Sequence, residues 1–60
     1  MNPREQLKSS MFRAAELITR ASVAEASDAP VTTIQTLLDA ASNEVANAQT
    51  ALAVMRAGAK

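Results

Sequence analysis

Apolar residues recur along the first half of the chain with alternating spacings of four and three. At about 100° per residue, such positions share one narrow stripe of an α-helix. Asn2 is a suitable N-cap, and Pro3 suits the first helical position, where its missing N–H is not needed. We therefore predict a first helix over about residues 3–26. The stripe consists of Leu7, Met11, Ala14, Ile18 and Ala21.

The second half of the chain repeats this spacing without interruption, and uncharged polar residues dominate the other side. Arg56 suits the negative end of a helix dipole, and Gly58 suits a C-cap. These features predict a second helix over about residues 31–57, with a period near 3.5 that is typical of left-handed supercoiled packing. The apolar positions are Ile34, Leu38, Ala41, Val45, Ala48, Leu52 and Met55, flanked by Val31 and Leu37.

The segment SDAP, residues 27–30, separates the two stripes. Ala29 precedes a proline and therefore avoids the α region, whereas Pro30 fits the first turn of a following helix. Ser27 and Asp28 offer acceptors for the first N–H groups of that helix. Short connections favour antiparallel neighbours. The predicted fold is all-α, with residues 1–60 forming one coiled-coil-like antiparallel hairpin.

A single hairpin of this composition has little to bury, because the stripes alternate large residues with Ala. The chain has no Cys for a disulfide, so association is the remaining way to gain a core. We expect two hairpins to pair as a homodimeric four-helix bundle. Apolar residues outside the stripes would then lie between the hairpins, although isolated surface apolar residues are also common. These residues are Phe12, Val23, Leu17, Val31 and Leu37.

Candidate chemistry is sparse. The chain contains no His, Cys or Tyr, and its one glycine comes too late for a phosphate-binding loop. Glu16 lies between Arg13 and Arg20 at helical spacing, which predicts a solvated ion-pair ladder. We expect no catalytic residue, metal site, cofactor or small-molecule substrate, and hence no enzyme.

The formal net charge is zero, with six basic and six acidic residues. This balance argues against a general attraction to nucleic acid or to anionic membranes, and we expect a cytoplasmic protein without a membrane-spanning helix. In length, in its two equal helices and in its Asp-containing corner, the chain resembles the Rop-type plasmid copy-number regulators. The likeness is confined to these features and carries no residue roles across. It implies RNA or DNA binding as an alternative function.

The preferred hypothesis is a small regulatory or adaptor protein that binds another protein and modulates or inhibits it, as bacterial and phage modulators do by analogy. Arg13 and Arg20 would border the contact. A structural homo-oligomer, in which the same residues serve self-association, is an alternative. The predicted contact residues are Met11, Phe12, Leu17, Val23, Leu37 and Met55.

Overall fold

Two long helices packed along each other make up the fold in this computed structural model, which describes residues 2–58. Helix α1 spans Pro3–Ala26 and helix α2 spans Val31–Gly58, with 24 and 28 residues. The hairpin measures 48 × 16 × 14 Å. The predicted helical hairpin is therefore confirmed, with the corner at residues 27–30 as expected.

The start of α1 follows the sequence prediction. Asn2 has an extended backbone, and its side-chain oxygen accepts a hydrogen bond of 2.9 Å from the backbone N–H of Arg4. Its carbonyl accepts another from the N–H of Gln6. Pro3 occupies the first turn, where no N–H donor is required. Glu5 adds a negative charge to the same turn, which the helix dipole favours.

The corner differs from the prediction in its hydrogen bonding. The backbone N–H of Ala29 donates to the carbonyl of Ala24, and that of Asp28 donates to the carbonyl of Glu25. Together with the left-handed φ of 58° at Asp28, these bonds form a Schellman motif. The predicted side-chain caps on α2 are not seen; instead, the backbone N–H groups of Ser27 and Asp28 donate to carbonyls at the end of α1. Pro30 lies just before α2, and its carbonyl accepts from the second helix's first turn.

Asp28 is the one residue in the described range, glycine included, that the structure places at positive φ. Because glycine adopts this region without a Cβ clash, we expect Asp28→Gly to raise the free energy of unfolding by about 0.5 kcal/mol. Asp28→Val should lower it by about 1–2 kcal/mol, since a β-branched residue is strained there. Thermal unfolding at one fixed chain concentration measures both. An equal effect of Gly and Val would contradict this account of the corner.

The interior of the hairpin is made of small side chains. The two backbones approach so closely that Cβ atoms fit between them but long side chains do not. Ala51 is the most buried of these residues, with 1% of its surface exposed. No large side chain is fully buried in the described part of the chain. The buried residues are Ser10, Ala14, Ala21, Ala41, Ala48 and Ala51.

Larger residues border this alanine interior on both sides. Leu17 and Leu37, which we expected between two hairpins, are half-buried beside the contact between α1 and α2. The contact between the helices is centred on the alanines of each stripe. Helix α1 is rotated slightly about its own axis, so that its Leu17 side turns toward α2. This rotation turns the large members of the stripes, such as Ile18, away from the interior.

Candidate docking surface

One face of the hairpin is a continuous apolar surface that spans both helices. Five large residues that the sequence assigns to the helix–helix seam remain between 42% and 54% exposed. Leu7 completes the set at the end of the hairpin opposite the corner and is half-buried. We call this set the open apolar face. It consists of Leu7, Met11, Ile18, Leu38, Val45 and Leu52.

The open apolar face follows from the alternation of large and small residues in each stripe. Ala41 and Ala48 point toward α1, so Val45 and Leu52, which follow each of them by four residues, emerge on the adjacent side. On α1, Met11 and Ile18 precede Ala14 and Ala21 by three residues, which places them on the same side of the helix–helix contact. A hollow of about 420 Å³ lies between the two rows. Nine residues line it, and Gln49 is the one polar residue among them.

The opposite face of the hairpin is polar. A hollow of about 450 Å³ there is lined by charged and polar side chains from both helices. Across it, Arg13 Nη1 lies 4.0 Å from Glu44 Oε2. The Glu44 side chain is 21% exposed, so this pair is better shielded from solvent than an ordinary surface pair. The two broad faces of the hairpin therefore differ strongly in polarity.

The predicted contact residues fall in three places. Phe12 and Val23 lie on the outer side of α1, remote from α2, with 71% and 60% of their surface exposed. Met11 belongs to the open apolar face. The remaining three are half-buried near the helix–helix contact, and they are Leu17, Leu37 and Met55. The structure thus brings Phe12 and Val23 to one side of one helix but does not join them to the others.

Five residues of the open apolar face were absent from the predicted contact set, Leu7 among them. The sequence interpretation placed Ile18, Leu38, Val45 and Leu52 inside the hairpin because they belong to the regular stripes. A signal for their exposure was present: Leu38, Val45 and Leu52 repeat every seven residues, while alanine holds the positions between them. Large apolar residues beside a row of alanines are typical of a helix with two neighbours in a bundle.

Of the two ion pairs predicted for Glu16, the one with Arg20 is confirmed. Arg20 Nη2 lies 3.5 Å from Glu16 Oε2, four residues earlier on the same helix. Arg13 instead reaches across to Glu44 on α2. Both arginines are more than half exposed. An exposed pair such as Arg20–Glu16 contributes about 0–1 kcal/mol, so it shapes the surface charge more than the stability.

Charge is unevenly distributed along the length of the hairpin. At the end where α1 begins and α2 finishes, Arg4, Lys8 and Arg56 outweigh Glu5 and give a net charge of +2 within the described residues. The corner region has the reverse balance, because three acidic residues outweigh Arg20 and give −2. Those acidic residues are Glu25, Asp28 and Asp39. The hairpin is therefore basic at one end and acidic at the other.

Residues 2–58 contain neither a membrane-spanning helix nor a cluster of metal ligands. Neither helix is long and apolar enough to cross a membrane. No group of three or more acidic side chains in that range is arranged to hold a metal ion. Comparison with protein-family models, with curated proteins and with solved structures finds no match.

Proposed function

We propose that the protein is a small non-enzymatic regulatory or adaptor protein that acts by protein–protein binding, in the form of a homodimeric four-helix bundle. The observation that supports this proposal is the open apolar face. Contiguous exposed apolar surface on a small chain is a mark of a binding site rather than of a solvated surface. Its extent along both helices suits a helical partner surface better than a small molecule.

The second contact, with the protein that is regulated, is proposed for the outer side of α1. Phe12 and Val23 lie about three helical turns apart on that side and belong neither to the interior nor to the open apolar face. A ring this exposed is a suitable anchor for a pocket on a partner, since aromatic residues are enriched among interface hot spots. Arg13 and Arg20 lie on the neighbouring side and would border the contact.

A structural homo-oligomer is the second candidate, and the same open apolar face supports it. In that case self-association is the whole function, and the outer side of α1 binds nothing. Nucleic-acid binding has less support. Each of Arg13 and Arg20 has a carboxylate within 4.0 Å, which reduces the positive charge presented to phosphates.

The double variant Phe12→Ala/Val23→Ala separates the two candidates. A partner recovered from a bacterial lysate with the wild-type chain would be purified and its binding measured by calorimetry. We expect the double variant to remain helical and dimeric. It should bind the partner at least about 30-fold more weakly, because that is the effect of losing one hot spot. Val54→Ala is the matched control, because Val54 is similarly exposed on α2. Unchanged affinity in the double variant would contradict the proposed regulatory contact.

A further inference from the structure

We propose that the open apolar face is covered by a second copy of this chain in antiparallel orientation, so that the corner of one hairpin lies beside the basic end of the other. This inference rests on the proposed homodimer and specifies how its two copies are arranged. Under a two-fold axis across the helices, α1 packs on α1 of the second copy and α2 packs on α2. The axis passes close to Val45.

The hairpin exposes more surface than a compact protein of the same mass, and the difference is similar to the area that each copy would bury in a dimer. A compact protein of 6.3 kDa exposes about 3,700 Å², whereas this hairpin exposes 4628 Å². The excess of about 900 Å² is close to the ~800 Å² that each partner loses in a standard interface. The radius of gyration of 14.0 Å, against about 10 Å for a compact chain of this length, shows that the single hairpin is elongated.

The open apolar face is also self-complementary from end to end. On α2, Leu38 and Leu52 stand seven residues to either side of Val45. On α1, Leu7 and Ile18 stand at nearly equal distances from the level of Val45, which the neighbouring pair Arg13–Glu44 marks. A two-fold interface requires a patch that matches itself after rotation. Rotation about Val45 places Leu52 of one copy over Leu38 of the other.

Charge selects the antiparallel orientation over the parallel one. With the corners at opposite ends, the basic residues Arg4, Lys8 and Arg56 of each copy lie near the acidic corner of the other, which holds Glu25 and Asp28. With the corners at the same end, like charges meet at both ends. Both arrangements bury the same apolar residues, so the difference in charge decides between them.

The orientation also determines where the two Phe12 side chains lie. In the antiparallel dimer both α1 helices run along one side of the bundle, and the two copies of Phe12 fall near the middle of that side. In the parallel dimer the two α1 helices are diagonal, so the Phe12 rings lie on opposite sides. The antiparallel arrangement therefore creates a two-fold-symmetric outer site to which both copies contribute a ring.

Disulfide cross-linking tests the orientation, and the natural absence of Cys makes it simple. Arg4 and Ser22 are both exposed and lie on the edge of α1 that borders the open apolar face. In the antiparallel dimer, Arg4 of one copy faces Ser22 of the other. Within one copy they are ~27 Å apart along the helix, far beyond the ~7 Å that a disulfide tolerates.

The experiment mixes two single-cysteine chains, Arg4→Cys and Ser22→Cys, and oxidises them after subunit exchange. We expect the mixed disulfide to exceed either homodisulfide by at least about tenfold, because only that pair meets the geometry. The mixture of Arg4→Cys with Arg56→Cys is the control, since those residues face each other only in a parallel dimer.

Two results would overturn the proposal in distinguishable ways. Efficient cross-linking of Arg4→Cys with Arg56→Cys, or no selectivity among the pairs, would reject the antiparallel orientation. Sedimentation equilibrium of the unmodified chain tests separately whether a dimer forms at all. A chain that stays monomeric at millimolar concentration would reject the homodimer itself, and with it the proposed function of the open apolar face.

Discussion

Replacing Val45 by Asp is expected to abolish the proposed dimer at micromolar concentration and to lower helicity with it. In the proposed bundle Val45 lies at the two-fold axis, so the variant places two carboxylates side by side in an apolar contact. Burying ions without partners costs several kcal/mol, and the like charges add to it. We expect the dissociation constant to rise at least 100-fold, equivalent to about 2.7 kcal/mol, as measured by sedimentation equilibrium with circular dichroism on the same samples.

The adjacent residue provides the matched control. Ala46 lies on the exposed side of α2, so Ala46→Asp introduces the same side chain into the same turn of the same helix. Helix propensity falls by about 0.7 kcal/mol in Ala46→Asp and hardly changes in Val45→Asp, so a larger loss of dimer in Val45→Asp must come from the open apolar face. Equal dimer affinity for the two variants would show that the open apolar face contributes nothing to self-association.

Enlarging the most buried alanine is expected to destabilise the hairpin even though it adds apolar surface. Ala51 is 1% exposed at the contact between the helices. Ala51→Leu forces the backbones apart or drives the new side chain into a strained rotamer, which costs about 1–3 kcal/mol. For a domain of this size, that corresponds to a fall of roughly 10 °C in the melting temperature.

Ala53→Leu is the control for this prediction, because Ala53 is exposed and both residues favour helices. We expect its melting temperature to change by less than about 3 °C at the same chain concentration. If Ala51→Leu melted at the same temperature as Ala53→Leu, the close approach of the two helices at Ala51 would be refuted.

The helices and the corner could be predicted because their signals are local. Asn2 and Pro3 start α1 through their own backbone and side-chain chemistry, and the proline at position 30 forces a break wherever the chain goes. The bounds of both helices consequently agree with the sequence to within a residue. The role of Asp28 was missed because glycine usually marks a Schellman motif, and here a rarer left-handed Asp takes its place.

The location of the open apolar face could not be predicted as directly. A stripe with four-three spacing defines which side of a helix is apolar, but it does not say which members of the stripe face the neighbouring helix. In this hairpin the alanines do, and residues such as Ile18 and Leu38 are turned outward by a rotation of a few tens of degrees. Such a rotation depends on how closely two backbones approach, which is a property of the packed pair.

The alanine interior has a consequence for the amount of this protein in a cell. A hairpin whose fully buried side chains are all small gains little free energy from its own fold, so the proposed second copy would supply much of the stabilisation. With such a dimer the folded fraction would rise with concentration, and dilute chains would be cleaved more readily by proteases. Degradation would remove the protein fastest when it is scarce, so that its abundance falls steeply once synthesis stops.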